Sequence, residues 1–464
     1  MNKLVTSGRR FLQKLFPFLL IFLAFNSCAY LTTRVGHYDY INEEFLSRRY
    51  EKAVQEIQKA RIDNKYQEKD RVLFYLDLGT ALHYAGRYGE SNKYLSEAEE
   101  AIEENFTKDI SKLATSMLLN DNALDYPGED YEDIFTNILK ALNYIYLINL
   151  EDAMVEVRRI NMKLRKLQNK YQEMAEELSK NEKKVKFKPG KTELRYSALG
   201  SSLSMLSYFH LGKLDDARID RRRVKEATSG SLESFLDKAL IHPEPEKAPI
   251  YSICFTGKSP IKIPLILSLD FDPDLDLAMI TIPGGENDNI IFKYKGSREF
   301  HLKFAVPIIK ERHSRIRSVR LFVDGNLRGE MPLLEDFSDV AKETFKAKKP
   351  IIYLKAGLRT LLKAIIDSKA KEEIDKKTKE NVSLGAILKF AVDKATDLTE
   401  NADLRCWRTM PGNAYIKRTD LTPGTHDITF EYIDDRGKVV DREIKKNVIV
   451  RKKELNIIEG VLYQ

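Results

Sequence analysis

The spacing of apolar residues divides the chain into two halves. Between about residue 38 and residue 224, apolar side chains recur at helical spacing, proline is scarce, and Glu, Lys, Leu and Ala are frequent. Beyond residue 250, apolar and polar residues alternate in short runs, which is typical of β-strands. The pattern predicts an α+β multidomain protein, with an N-terminal α-helical repeat domain at 38–230, a linker at 231–249 and a C-terminal mixed α/β domain at 250–464.

One pattern in the helical half returns several times. Its best copy runs from Tyr75 to Ala98 through Gly86, with a small residue at the turn and an alanine where the second helix packs closely. This is the tetratricopeptide (TPR) pattern, in which small residues allow the two helices of a hairpin to approach. Similar positions in the other copies are Ala53, Ala153, Ala217 and the turn residue Gly212. The sequence thus predicts four degenerate TPR-like units, and a non-repetitive helical bundle is the alternative.

An insertion near 160–190 separates the third and fourth units. Apolar residues from Ile160 to Leu178 alternate spacings of four and three, as in a coiled-coil seam. Because the seam covers fewer than three heptads, we expect a long second helix in the third unit, with its apolar stripe on a neighbouring helix. A dimeric coiled coil is the alternative. Pro189-Gly190 marks the turn back.

The C-terminal half is predicted to contain strands, then helices, then strands again. The strands within 250–325 are expected at 250–255, 261–267, 278–282, 290–294, 300–305 and 319–323. Asp324-Gly325 is a hairpin-type turn. Helical spacing then predicts a helical layer at 334–400, with one helix from Leu334 to Ile366 and a second from Leu384 to Leu398, followed by terminal antiparallel strands at 414–464.

The N-terminus carries an export signal. Four basic residues precede the apolar run Leu15–Phe25, which Asn26-Ser27-Cys28 follows directly. A run of 11 residues is too short to cross a hydrocarbon core of about 30 Å as a helix. The segment resembles a bacterial lipoprotein signal that is cleaved between Ser27 and Cys28 after the thiol of Cys28 receives a diacylglyceryl group. It predicts a signal peptide at 1–27 and a tether at 28–37, while an ordinary cleaved signal and a short uncleaved anchor are the alternatives.

Net charge and cysteine content bear on two properties, nucleic-acid binding and disulfide bonding. Lys and Arg number 77 and Asp and Glu 70; since residues 1–27 hold four of the basic residues and none of the acidic ones, the mature chain has a net charge of +3. This near balance gives no electrostatic case for nucleic acid as a partner. Two cysteines remain beyond Cys28, and Cys254 and Cys406 are as well explained by two buried thiols as by a disulfide.

The sequence contains no recognisable catalytic constellation. There is no His-Glu-x-x-His motif, Cys/His cluster, nucleophile elbow or phosphate-binding glycine loop. The acidic run Asp270–Asp276 lacks the glycine and the final glutamate of a calcium loop, which favours a solvated turn. We therefore expect no catalytic residues, no metal and no cofactor.

Two groups of residues are the candidate sites in the body of the chain. The acidic residues Glu129 and Glu132, with the paired arginines Arg158 and Arg159, suggest an intramolecular ion-pair latch, with a ligand-binding patch as the alternative. The second group is expected to form a structural junction between the helical layer and the final strands. Its members are Asp403, Arg405, Trp407, Arg408 and Pro411.

Four segments together resemble an uncharacterised family of bacterial TPR cell-envelope lipoproteins. They are Tyr126–Glu132 with Ala141–Tyr144 and Glu156–Arg159, then Tyr196–Val224, Gly257–Lys262 and Ala402–Pro411. The resemblance implies a lipid-anchored envelope protein, and the family supplies no established activity. Ala29 lacks the aspartate that retains some lipoproteins in the inner membrane, which favours the periplasmic face of the outer membrane.

Two functions follow as hypotheses. The first is a lipid-anchored scaffold or adaptor whose helical repeats bind a protein or peptide of the cell envelope. The alternative is an envelope-remodelling enzyme, or a direct regulator of peptidoglycan or glycan synthesis, that acts through the C-terminal domain. An enzyme requires a concave cluster of carboxylates or a nucleophile with its base, which the sequence does not reveal.

Overall fold

The protein is a mixed α+β molecule. A computed structural model describes residues 36–111, 120–181, 191–283, 289–293, 299–377 and 401–464. These residues form ten α-helices and three four-stranded sheets. The predicted signal peptide, the predicted lipidation site and the predicted helix Leu384–Leu398 lie outside the described residues. None of the described helices is both long and apolar enough to cross a bilayer.

Eight of the helices pair as four antiparallel hairpins in the first half of the chain. The hairpins are α1 (Tyr38–Leu46) with α2 (Tyr50–Ile62), α3 (Arg71–Tyr84) with α4 (Tyr88–Ser111), α5 (Asp130–Tyr146) with α6 (Leu150–Asn181), and α7 (Ala198–His210) with α8 (Leu214–Ala227).

The four hairpins share one turn geometry. In each, the second helix begins four residues after the first one ends, and the middle of the turn is left-handed, at Arg48, Gly86, Ile148 and Gly212 (φ 54°, 75°, 57° and 71°). The amide of Gly86 donates to the carbonyl of His83 (3.0 Å), and the amide of Arg87 donates to that of Leu82 (2.9 Å). The same two hydrogen bonds close the other three turns. This is the Schellman motif, which satisfies the last carbonyls of the first helix.

Small residues bring the paired helices together. Five residues after each left-handed position stands Ala53, Ser91, Ala153 or Ala217, and each of these side chains is buried. In the second hairpin, a Cβ on Gly79 would lie 2.6 Å from Cδ2 of Leu95, so only glycine permits this spacing without a shift of Leu95. Local sequence therefore sets the interhelical distance.

The long helix α6 has the role that its apolar stripe predicts. It runs without interruption from Leu150 to Asn181, as expected for the insertion. Leu167, Tyr171 and Met174 are buried in one apolar cluster with residues of the C-terminal half. The stripe thus packs within the same chain, and its partners are a sheet and the helix α10 (Phe337–Lys377).

Twelve strands form the three sheets of the described C-terminal half. They are β1 (Ala248–Thr256), β2 (Ile261–Asp272), β3 (Leu277–Thr281), β4 (Ile290–Lys293), β5 (Phe300–Lys310), β6 (Ile316–Val323), β7 (Asn326–Met331), β8 (Leu333–Asp336), β9 (Asn413–Leu421), β10 (Gly424–Asp434), β11 (Val439–Val450) and β12 (Asn456–Leu462). The sheet orders are β12-β1-β9-β8, β11-β10-β6-β7 and β4-β3-β2-β5. All pairs are antiparallel except β1 with β12.

The buried face of each sheet determines which part of the molecule it packs against. The first two sheets pack face to face around Cys254, Leu321, Phe430 and other buried residues. The third sheet turns alternate residues of β2 toward α6 and α10, as the period of two requires. All six strands expected within 250–325 are present, and Asp324-Gly325 forms the turn between β6 and β7 with positive φ at both residues.

The predicted linker is part of the folded structure. Residues 231–249 contain α9 (Glu233–Ala239), whose side chains Phe235 and Leu236 are buried, and β1 already begins at Ala248. A single apolar cluster includes Leu76 and Phe135 of the hairpins together with buried residues of β1 and β9. The two predicted domains therefore share a core. The reason is that β1 is buried on both faces, so it needs apolar cover from the helical half as well as from the other sheet.

The last strand lies along the turns of the hairpins. Nε of Arg48 in the first turn donates to the carbonyl of Val461 (3.0 Å), and Nε2 of His83 beside the second turn lies 3.0 Å from Oε2 of Glu459. Ile148 of the third turn and Ile457 line one cavity, which His210 also lines. Successive turns thus meet successive inward positions of β12.

Candidate functional site

An open groove runs between three helices of the second and third hairpins. We call it the hairpin groove; it has a volume of about 850 Å³ and is lined by residues of α4, α5 and α6. This volume lies within the range of about 300–1,000 Å³ that is typical of ligand sites. Its floor contains ion pairs, and its exposed rim includes Glu100, Met162, Lys166 and Glu173.

The charges in the floor of the groove are paired with one another. Nζ of Lys140 lies 2.8 Å from Glu99 and 3.2 Å from Glu156, and Nζ of Lys163 lies 2.7 Å from Glu99 and 2.6 Å from Asp133. Burial would raise the pKa of Glu99, but Lys163 and Lys140 lower it to about 2. Glu99 is therefore ionised at neutral pH, and these contacts join all three helices.

The predicted latch is wrong. Within the described residues, no ion pair joins Glu129 or Glu132 to Arg158 or Arg159. Nη1 of Arg159 lies in the groove, 3.2 Å from both Glu99 and Glu156, while Arg158 is exposed. The cause is the antiparallel hairpin: the start of α5 faces residues 170 and 171 near the end of α6, whereas the two arginines stand near the start of α6.

Glu129 instead connects the two halves of the chain. Its Oε1 accepts a hydrogen bond from Nζ of Lys262 on β2 (2.8 Å), and its Oε2 accepts one from Nζ of Lys348 on α10. Burial would raise the pKa of Glu129, but the two ammonium groups hold it below its ordinary value. The backbone of Glu129 also donates to Glu132, because the two residues form a capping box at the start of α5. The latch therefore has lysines where the sequence suggested arginines.

Glu132 completes the contact from the other side. Its carboxylate accepts from the backbone amide of Trp407 (2.6 Å) and from the hydroxyl of Tyr126 (2.8 Å). Burial and the nearby charge of Glu129 raise the pKa of Glu132 to about 7, against the effect of these donors. The carboxyl group of Glu132, which can be protonated near neutral pH, thus contacts the backbone of the predicted junction segment at Trp407.

The segment containing Trp407 is a junction, but it joins different parts from those expected. Trp407 is fully buried, with its ring centroid 5.5 Å from that of Phe135, and Arg405 is also fully buried. Nη1 of Arg405 lies 3.1 Å from Asp70, and its Nη2 lies 2.8 Å from Asp403. The segment therefore enters the hairpin half of the molecule and does not stay between the helical layer and the final strands.

The rest of the junction is equally enclosed. Nε1 of Trp407 donates to Thr409 (2.9 Å), whose hydroxyl donates to Asp77 of α3 (2.6 Å). The guanidinium of Arg408 lies 5.5 Å from the ring centre of Tyr38, and Pro411 is buried at the end of the segment. Asp77, Lys262 and Lys348 are not among the residues that the sequence singled out, because the junction residue Thr409 stands 332 residues from Asp77, and Glu129 stands 133 and 219 residues from the two lysines.

Neither cysteine of the described structure forms a disulfide. Cys254 and Cys406 are both free and buried. Burial raises the pKa of both thiols above the ordinary value. They are therefore inert, packed side chains at neutral pH.

The described residues show no preformed metal centre. No group of three or more His, Cys, Asp or Glu side chains within them is arranged to hold a metal ion. Comparisons with protein-family models, with curated proteins and with solved structures found no match to the chain.

Proposed function

We propose that this protein is a lipid-anchored adaptor of the bacterial cell envelope that binds a protein segment in the hairpin groove. In this proposal, Cys28 carries the lipid, the four hairpins are degenerate TPR-like units, and the body lies at the periplasmic face of the outer membrane. The observation that carries the proposal is the open groove of about 850 Å³ between α4, α5 and α6.

The chemistry of the groove suits a peptide. Its floor is already ordered by ion pairs, so binding a segment there costs little reorganisation of the protein. The rim offers the charges of Glu100, Lys166 and Glu173, and Met162 is 43% exposed. Methionine adapts its shape to varied apolar partners. We therefore expect the partner to contribute an apolar side chain flanked by charged residues.

The four matching turns support the TPR-like assignment. Hairpins with the same turn and the same buried small residue stack in a regular way, and stacked hairpins of this kind form extended binding surfaces. The resemblance of the N-terminal segment to a lipoprotein signal supports the anchor. A lipid at Cys28 would hold the groove close to a membrane surface.

Site-specific photocrosslinking in living cells tests the adaptor function. A photoreactive residue at Met162 lies in the groove, and one at the exposed Arg158, on the same helix, lies outside its lining. We expect one discrete adduct from position 162 and none from position 158. The adduct from position 162 should weaken when Lys166 is reversed to Glu. Equal adducts at both positions, or an adduct that ignores the Lys166→Glu change, would contradict the proposal.

A further inference from the structure

A second open pocket lies where the edges of the first two sheets meet. It has a volume of about 470 Å³ and is lined by residues of α9, β6, β7, β8 and β9. We call it the basic pocket, because four cations line it: Lys238, Arg317, Lys417 and Arg418. β7 is an edge strand of the second sheet and β8 is an edge strand of the first, so the chain passes from one sheet to the other beside this pocket.

One of the four cations has a structural role. The side chain of Arg418 is 4% exposed, its Nε lies 2.8 Å from Oδ1 of Asp420, and its Nη1 donates to the carbonyl of Lys238. A cation at this position satisfies a carbonyl in the last turn of α9. Arg418 therefore holds α9 against β9, and Asp420 balances its charge.

The other three cations have no carboxylate partner. In the part of the chain that the structure describes, Lys238, Arg317 and Lys417 form no ion pair. Lys417 is half-buried, and its Nζ donates to the backbone carbonyl of Glu330 (3.3 Å). Burial lowers the pKa of Lys417, and the nearby charge of Lys238 lowers it further. Two like charges thus lie close together, and an anion bound between them would offset their repulsion.

The acidic residues of the lining do not balance these cations. Among the described residues that line the pocket, Glu330 is the single acidic one, and it is exposed. Three cations against one carboxylate leave a surplus of two positive charges. The floor of the hairpin groove differs, because Lys140 and Lys163 both have carboxylate partners there. A cleft lined by one sign of charge attracts ions of the opposite sign.

The pocket also offers an apolar surface and enough room for a small organic ligand. Leu333 is 44% exposed, and Pro332 and Phe235 line the same space. The volume lies within the range of about 300–1,000 Å³ that is typical of ligand sites. The ligand that fits this lining has two negative charges at one end and an apolar body at the other.

A phosphate monoester has these properties. Its phosphate group carries a charge of about −1.5 to −2 at neutral pH and has three strong acceptor oxygens. The charge matches the surplus of two, and the three oxygens match the three cations. Arginine and lysine are the side chains that proteins commonly use to bind phosphate.

We propose that the basic pocket binds a phosphate monoester, with the phosphate group on Lys238, Arg317 and Lys417 and the organic body against Leu333 and Pro332. The ligand would contact α9 and both sheets at once. This site is separate from the hairpin groove and does not depend on the adaptor function.

Calorimetric titration of the full-length chain in non-ionic detergent tests the proposal with phenyl phosphate as the probe. We expect phenyl phosphate to bind, and phenyl sulfate, which has one negative charge, to bind at least about tenfold more weakly. Inorganic phosphate should also bind more weakly than phenyl phosphate, because it has no apolar body to contact Leu333.

Two variants and one control locate the site. Lys417→Met and Arg317→Met should each weaken the binding of phenyl phosphate about tenfold, as expected for the loss of a charged hydrogen bond. Lys446→Met, at an exposed lysine of β11 that does not line the pocket, should leave binding unchanged. If Lys417→Met does not fold, Arg317→Met decides the matter, because Arg317 is exposed.

A soluble metabolite and a lipid headgroup can both present a phosphate monoester. Short-chain dihexanoyl phosphatidic acid, compared with glycerol 3-phosphate, distinguishes the two sources. Binding of the lipid at least about tenfold tighter would support a headgroup as the ligand, and similar binding of the two would support a soluble ester.

Four results would each overturn the proposal. They are the absence of phenyl phosphate binding to the wild type, equal binding of phenyl sulfate, binding of inorganic phosphate as tight as that of phenyl phosphate, and unchanged binding to folded variants at Lys417 and Arg317.

Discussion

Nε2 of His83 lies 3.0 Å from Oε2 of Glu459, a residue 376 positions later in the chain. Both side chains are buried, and Nδ1 of the same imidazole lies 2.6 Å from Oδ1 of Asn143 on α5. Burial would lower the pKa of His83, but Glu459 raises it above the ordinary value. A residue beside the turn of the second hairpin thus contacts the last strand, so the body that contains the hairpin groove includes β12 as well as the hairpins.

The contact of Glu129 with two lysines should be a major source of stability. Glu129→Gln leaves Lys262 and Lys348 buried without their shared carboxylate, and breaking such a pair typically costs about 3–5 kcal/mol. Urea denaturation should show this loss in the free energy of unfolding. Glu100→Gln, at an exposed residue, should stay within about 0.5 kcal/mol of the wild type. Similar values for the two variants would show that Glu129 does not hold the halves together.

The third hairpin turn carries strain that a single substitution should relieve. Ile148 has φ 57° and is 65% exposed, so the left-handed backbone is unfavourable there and little apolar contact compensates. Ile148→Gly should raise the free energy of unfolding by about 1 kcal/mol, measured by urea denaturation.

The equivalent position of the fourth turn provides the reverse experiment. Gly212 has φ 71°, and no atom lies within 4 Å of a Cβ placed on it, so Gly212→Ala adds strain without a clash. We expect it to lower stability by about 1 kcal/mol. A destabilised Ile148→Gly variant would mean that the Ile148 side chain makes contacts that outweigh its strain.

Glu335 should make stability depend on pH. Its carboxylate accepts hydrogen bonds from the start of α7, but burial raises its pKa to about 7 from an ordinary value near 4.5. At a pH below its ordinary pKa, Glu335 is protonated in both the folded and the unfolded state and does not lower the stability. As the pH rises from about 4.5 to about 7, the carboxyl group loses its proton in the unfolded chain but keeps it in the folded protein, which favours unfolding. The loss of stability should be on the order of 3 kcal/mol at pH 8.

Comparison with a neutral variant isolates this effect. The free energy of unfolding of the wild type, minus that of Glu335→Gln, should fall by about 3 kcal/mol between pH 4.5 and pH 8. Glu330→Gln, at an exposed residue of β7, should show no such trend. A difference that stays constant with pH would mean that Glu335 is ionised throughout the range.

The lipid anchor makes a direct prediction. Cys28→Ala should remain unprocessed or leave the membrane, because Cys28 is the proposed acceptor of the lipid. Metabolic labelling with a fatty-acid analogue should mark the wild type and Cys254→Ala but not Cys28→Ala, and the wild type should enter the detergent phase. Equal labelling of Cys28→Ala and the wild type would disprove the anchor.

Local sequence patterns predicted where strands and turns occur better than they predicted which parts of the chain pack together. The alternation of residues located the six strands from β1 to β6, and Gly86 and Gly212 marked two turns, since each signal is contained in a few neighbouring residues. Arg48 and Ile148 adopt the same left-handed conformation without being glycine, so their turns left no such signal.

Contacts between distant residues left no local signal. The lysine partners of Glu129 stand 133 and 219 residues away, and the parallel pairing of β1 with β12 joins the two ends of the C-terminal half. The expected linker was wrong for the same reason. Its polar and proline-bearing sequence is typical of a loop, but the helix α9 within it buries Leu236 in the shared core.

Trp407 can report whether the hairpins and the sheets unfold as one cooperative body. It is the only tryptophan, and it is buried where the two halves meet, so its fluorescence reports on the junction. Circular dichroism at 222 nm reports mainly on the helices. We expect the urea unfolding curves of the full-length chain from the two signals to coincide in one transition. A fluorescence transition that is complete while the helical signal remains native would contradict it.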